Sequence, residues 1–375
     1  MSVKRMVMKC KPVWLIVMLV GWGIAAAALL GDTYWLYMGQ IPTVLTRHAA
    51  VVVGSDFYIL GGQHTTTATP DRSPATYRYD TLTSQWEELA PMPVIPGSCV
   101  DGYGYAATDA AYVSGKIYLP SGYAGDNGSY CGVHMGYDIT SNSWFTAAAA
   151  PWSEPLGWTQ VVVYPPLNGY FVVGGLTGAP LTATANPSAA LYLYWPDQTG
   201  GFWIPQTSMA IARYGHTADF LGEKLCVAGG INVNNQALTQ AECFDLNTNT
   251  WNAIPPMNLP RFNAASAVGP DGRWYVFGGT SPTVMSIAPI DVYDPTTNNW
   301  TLLESPYDLG VPNDPLRPPR AWLAGGFIGE SLWVFGGERD TGNFNQGIPL
   351  ATIERILSLN TPPQRTYLPF ILSTP

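Results

Sequence analysis

A double glycine closes a short apolar run again and again in this chain, at Gly61-Gly62, Gly174-Gly175, Gly229-Gly230, Gly278-Gly279 and Gly336-Gly337. Ser121-Gly122 fills the one gap, and successive second glycines are then separated by 60, 53, 55, 49 and 58 residues. A fixed period near 50 marks a ring or array of equivalent supersecondary units, each burying its apolar face only against its neighbours.

The rest of the unit follows the same beat. Trp86, Trp144, Trp203, Trp251 and Trp300 lie 21 to 28 residues after the second glycine. Tyr79-Asp80, Tyr137-Asp138, Phe244-Asp245 and Tyr293-Asp294 precede most of them, and the run from Asp291 to Trp300 reads strand, turn, strand. Asp, Pro, Thr and Asn supply the turn chemistry there. Ahead of each glycine pair sits another hairpin, turning at Gly54-Ser55-Asp56, Ser114-Gly115-Lys116, Asn168-Gly169, Gly222-Glu223-Lys224, Asp271-Gly272 and Gly329-Glu330-Ser331. Asn-Gly and Asp-Gly are favoured two-residue hairpin turns. Each unit therefore has four strands.

This pattern resembles the kelch repeat over roughly residues 33–360. The matched elements are the opening arginines (Arg47, Arg213, Arg261, Arg320), the glycine pairs, the Tyr/Phe-Asp steps and the tryptophans. The resemblance implies an all-β fold, a six-bladed β-propeller of four-stranded antiparallel blades. The sixth glycine pair is followed by a strand near Ile353 to Leu357 but by no Trp, whereas Trp35 precedes Arg47 by 12 residues, close to the 10 of Trp203–Arg213 and Trp251–Arg261. The N-terminal strand is thus expected to complete the last blade and remove the open edge of the ring; a fourth strand from Arg365 to Ile371 is the alternative.

Residues 1–31 stand apart. Lys4, Arg5, Lys9 and Lys11 precede a wholly apolar or Gly run from Val13 to Leu30, and no acidic residue occurs before Asp32. This reads as a secretory signal or as a membrane anchor of near-minimal length. Either way residues 32–360, the propeller, are expected outside the cytoplasm, secreted or at the cell surface, with 361–375 as an apolar, Pro-bounded tail. Without the leader, 13 basic residues face 26 acidic ones, a balance near −13. That argues against nucleic acid, which needs a basic footprint. Membrane contact is expected only through an uncleaved leader, and the chain is expected to be a monomer.

Cys99, Cys131, Cys226 and Cys243 allow two disulfides in an exported chain. The blade assignment favours Cys226–Cys243, on adjacent strands of blade four, and Cys99–Cys131, both on irregular parts around blade two. Reduced core thiols are the alternative.

Chemistry is sparse. His48, His64, His134 and His216 form no HxH or HExxH motif, and no metal or other cofactor is expected. Galactose oxidase-like copper enzymes share the kelch plan, but no convincing Tyr–His pair or cross-linking Cys is found. A bacterial sialic-acid epimerase also resembles the plan; Glu242, Glu304 and Glu338 are its candidate acid–base carboxylates, and none is singled out by spacing. No catalytic residue is identified.

The sharper pattern is the arginines. In kelch adaptor proteins residues at this position line the mouth of the central channel. The resemblance would place Arg47, Arg213, Arg261 and Arg320 at one opening, edged by Tyr103, Tyr105 and Trp158 in the blades that lack arginine. Such a mouth suits a carboxylate-bearing ligand, because arginine binds carboxylates bidentately. The competing reading has these arginines holding the ring together. The function that follows is an exported kelch-repeat scaffold binding a protein or glycan at one propeller face. The alternative is a carbohydrate-active enzyme of the epimerase type or, less favoured, the oxidase type.

Overall fold

A computed structural model describes residues 35–64, 72–94, 105–123, 130–178, 182–197, 200–281, 286–287, 289–303, 320–339 and 347–356. The leader, the C-terminal tail, Cys10, Cys99, Tyr103 and Glu304 lie outside the described residues.

The described residues are almost wholly strands and turns, with a single 3-10 turn at Pro165–Leu167. They form six four-stranded antiparallel sheets, together with smaller two- and three-stranded sheets. Blade one runs outward through Ala49–Val53, Asp56–Leu60, Thr76–Asp80 and Gln85–Glu88. Blades two to five repeat the order, starting from Ala111–Val113, Gln160–Tyr164, Thr217–Leu221 and Ala265–Val268. The last sheet starts at Ala324–Ile328, and its outermost strand is the N-terminal Trp35–Gln40, paired with Thr352–Ile356. Innermost strands touch in sequence, and the sixth touches the first. The ring closes on the N-terminal strand, as the displaced Trp35 requires.

The repeated residues explain the assembly. Asp80, Asp138 and Asp245 each accept two backbone N–H bonds in the turn before the fourth strand. The tryptophan just beyond reaches to the previous unit. The indole Nε1–H of Trp144 donates to the Ala90 carbonyl, Trp203 to Ala148, Trp251 to Thr207 and Trp300 to Pro255, at 2.7–3.1 Å. The rings bury apolar area between blades, while the one polar atom of each is satisfied.

The glycine pairs make the other inter-blade joint. The N–H groups of Gly62, Gly175, Gly230, Gly279 and Gly337 donate to the carbonyls of Tyr105, Arg213, Arg261, Arg320 and Leu45, each in the next blade. Gly61 adopts φ +66°, and a Cβ there would lie 2.2 Å from the Tyr105 carbonyl oxygen. Only glycine allows both that backbone and that approach.

Cys226 and Cys243 are register partners on the second and third strands of blade four and are joined by a disulfide. Cys131 is also disulfide-bonded; its expected partner, Cys99, lies outside the described residues.

Candidate functional site

The inter-blade bonds fix which residues are equivalent. Leu45, Tyr105, Arg213, Arg261 and Arg320 each offer a carbonyl to the preceding glycine pair. Arg47 therefore sits two positions beyond the residue that corresponds to the other three arginines, and Leu45 holds the arginine position in blade one. Trp35 to Leu45 is 10 residues, the same spacing as Trp203–Arg213 and Trp251–Arg261.

The two positions have different fates. Arg213, Arg261 and Arg320 turn into their own blades, their side chains 0%, 1% and 3% exposed. Arg213 donates to the Gly229 and Gln240 carbonyls and pairs with Glu242 at 3.0 Å. Arg261 donates to Gly278 and Pro289 and pairs with Asp291 at 2.5 Å. Arg320 does the same with Gly336, Thr352 and Glu354, the last at 2.6 Å. Each guanidinium ties the glycine corner to the third strand. Burial pulls Arg213 and Arg261 below the usual arginine range, and their carboxylate partners oppose it. The expected ring of four mouth arginines is thus corrected: three of them are internal latches. Tyr105, at the arginine position of blade two, is likewise fully buried, its hydroxyl donating to the Val133 carbonyl at 2.5 Å.

Two residues beyond the latch position, six residues form the rim of the channel: Arg47, Ala107, Trp158, Gly215, Asn263 and Trp322. All six adopt φ between +50° and +60°. Each backbone N–H donates to the carbonyl of the rim residue in the preceding blade: Ala107 to Arg47, Trp158 to Ala107, Gly215 to Trp158, Asn263 to Gly215, Trp322 to Asn263, and Arg47 to Trp322, at 2.7–3.3 Å. The cycle of six hydrogen bonds is closed. Left-handed backbone is uncommon in Arg, Ala and Trp, so the ring itself supplies the constraint that holds them there.

Arg47 is the rim's cation, its side chain 21% exposed. Its guanidinium carbon lies 5.0 Å from the Trp322 ring centroid and 5.6 Å from that of Trp158, within cation–π range. Its Nε donates to Glu338 at 3.2 Å, and the Thr46 hydroxyl donates to the same carboxylate oxygen at 2.8 Å. Glu338 follows directly on the sixth glycine pair, so blade six steadies the arginine of blade one. Arg47, Trp158, Asn263 and Trp322 line one small pocket at the mouth. Trp158, expected at this opening, is here; its left-handed backbone gave no signal in sequence, and neither did Trp322.

Below the rim lies a cavity of about 450 Å³ along the axis, lined by five of the six innermost strands and, in blade two, by residues 108–110 leading into the sixth. Its walls are mostly Ala, Val and Phe, with Asp109, Gln160, Asp219 and Ser266 among the polar residues. Asp109 accepts the N–H groups of Val161 (2.9 Å) and Ala110 (2.8 Å). Asp219 accepts from the Ser266 hydroxyl and from the Trp274 indole N–H. Burial raises their proton affinity, to about 7 for Asp109 and about 6 for Asp219, with the hydrogen bonds opposing; the charge of Asp219 adds to the rise at Asp109. These two carboxylates were missed in the sequence, because neither the segment leading into Ala111–Val113 nor alternation on Thr217–Leu221 says which residue meets a channel.

The candidate acid–base carboxylates Glu242 and Glu338 are both engaged with arginines. Among the histidines, His134 lies in a buried aromatic cluster: its Nδ1 is 2.8 Å from the Ala148 carbonyl, and the Tyr170 hydroxyl is 2.6 Å from its Nε2. His64 reaches the Val44 carbonyl at 3.1 Å. His48 and His216 each follow a rim residue and are buried.

Residues 35–288 match the family model described as the Attractin/LZTR1 beta-propeller. Among curated proteins the chain is 24% identical to "Kelch-like protein terF" of Aspergillus terreus, over 68% of this chain and 54% of that protein. It is 26% identical to "Multiple epidermal growth factor-like domains protein 8" of Mus musculus, over 64% of this chain and 9% of that one. It is 24% identical to "Kelch-like protein 38" of Homo sapiens, over 71% and 42% respectively. The chain thus spans about half the length, or less, of these relatives.

Proposed function

Because the chain belongs to the Attractin/LZTR1 β-propeller family, we propose that it is a kelch-repeat binding scaffold whose ligand docks on the rim face. Kelch propellers are typically interaction scaffolds, and fold alone does not name a ligand. The observation that carries the reading is the Arg47 guanidinium, partly exposed at the mouth and held between Trp158 and Trp322. A pre-ordered guanidinium flanked by aromatic rings loses little freedom on meeting a carboxylate. The ligand is a protein or glycan that presents such a group, and the basic, apolar segment 1–31 supports export of the propeller to meet it.

The test is a binding screen of the purified chain against acidic glycans, sialylated ones included, and against proteins of the cell surface. Arg47→Ala and Trp322→Ala accompany the unaltered chain. Binding that both substitutions reduce at least tenfold, with the folded state retained by circular dichroism, supports the rim as the docking site. Binding indifferent to both overturns it. The same preparation, probed for the N-terminal sequence of the mature protein, decides between a cleaved signal and a retained anchor.

A further inference from the structure

The axial cavity is a second place, independent of the rim cation, where this chain is built to hold something. It has about 450 Å³ of space, within the usual range for small-molecule sites. Ala, Val and Phe make up most of its lining residues, polar atoms make up much of the surface that meets the space, and aspartates from blades two and four line it. No lysine or arginine lines it among the described residues. Asp219 directs Oδ2 to Ser266 and Trp274, and no hydrogen bond reaches its Oδ1 among the described residues. At the upper end His48, 5% exposed, borders both this cavity and the mouth pocket, but its ring nitrogens are enclosed by protein and its Cε1 packs against the Gly336 corner. Two enclosed carboxylates with no cation among the lining residues cost free energy in their charged form unless something offsets it.

We propose that the cavity binds a small organic cation, a protonated amine, with Asp109 and Asp219 as counter-ions. An inorganic cation fits less well. No cluster of three or more His, Cys, Asp or Glu side chains able to hold a metal is present among the described residues, and the Val and Ala walls offer a metal ion no ligands. Within the cavity the titratable groups, taken over all six innermost strands and the residues leading into them, are His48, Asp109 and Asp219; Arg47 stands above them at the rim. Burial keeps His48 neutral, its pKa lowered to about 4. The carboxylates must ionise to hold a cation, so affinity rises as pH rises through about 6 to 7.

The experiment is calorimetric titration of the full chain with cyclohexylammonium at pH 8 and pH 5, with cyclohexanol as neutral isostere and calcium chloride as inorganic cation. The amine stays protonated at both values, like a lysine side chain. Expected are binding at pH 8, at least tenfold weaker binding at pH 5, and no heat from cyclohexanol. Asp219→Asn and Asp109→Asn, which keep the size of the side chain, are each expected to weaken binding at least tenfold. If one of them fails to fold, the other and the pH series decide. Cyclohexanol binding as tightly as the amine, calcium displacing it stoichiometrically, affinity unchanged between pH 5 and 8, or undiminished binding by a folded aspartate variant would each overturn the proposal. An Arg47→Ala chain that still binds the amine separates this site from the rim.

Discussion

Replacing Arg261 by Met removes the cation from a latch in which every polar atom has been taken from water. Asp291 would remain, fully buried, with only the backbone N–H and side-chain amide of Asn258 to hold its charge. Orphaning one member of a buried pair costs about 3–5 kcal/mol. The carbonyls of Gly278 and Pro289 also lose their donor, at about 1 kcal/mol each, which places the total toward the upper end of that range. The chain carries its own control. In blade one the positions of Arg261 and Asp291 are held by Leu45 and Tyr77, which share an apolar cluster. In blade two they are held by Tyr105 and Met135, again in one cluster. An apolar pair is therefore compatible with this geometry. Arg261→Leu with Asp291→Tyr is expected to cost only about 2 kcal/mol, the two carbonyls, since replacing a buried ion pair by well-packed apolar groups is often neutral or better. Urea denaturation followed by tryptophan fluorescence and circular dichroism measures both variants. A single variant that costs less than about 1 kcal/mol, or a double variant as damaged as the single, would refute the view that charge burial rather than shape governs the latch.

Two further outcomes are expected. His48 and His134 are buried neutral with pKa lowered to about 4, and His216 to about 3, burial being the first cause in each. In the unfolded chain they titrate near 6.5, so their contribution is intact above that value and is lost as pH falls through about 6.5 to 4. At about 1.4 kcal/mol per unit, His134→Gln is expected to flatten the acid limb of the urea midpoint, and a limb of unchanged slope refutes this. Cys226→Ser with Cys243→Ser opens a disulfide that spans 17 residues; a loss of about 3 kcal/mol is expected for a loop of that size. An equal midpoint for the double variant and the unaltered chain, both kept oxidised, would show that the bridge contributes nothing.

The ring was legible in the sequence because its devices are local and repeat. Glycine pairs, Asp-capped turns and outer tryptophans each act within one unit or on the next, so a linear count recovers their order. Trp35, stranded at the N-terminus, even revealed how the ring closes. The cross-strand Cys226–Cys243 pair followed from the same strand assignment. The site was not legible in this way. Arg47 and Arg213 look alike in one dimension, yet a two-residue offset sends one to the rim and the other into a latch. The inter-blade hydrogen bonds of the glycine corners fix that offset, and the ten-residue Trp35–Leu45 spacing agrees with it. The rim itself is a cycle of six residues from six blades with no side chain common to all, held by backbone geometry that five different residue types adopt. The channel carboxylates come from two blades at different depths, and their raised proton affinity arises from enclosure within the assembled ring. Sequence thus determined the repeating unit and its number of strands. The closed ring decided which side chains face the axis, because direction, depth and desolvation are properties of the assembled blades and not of any one of them.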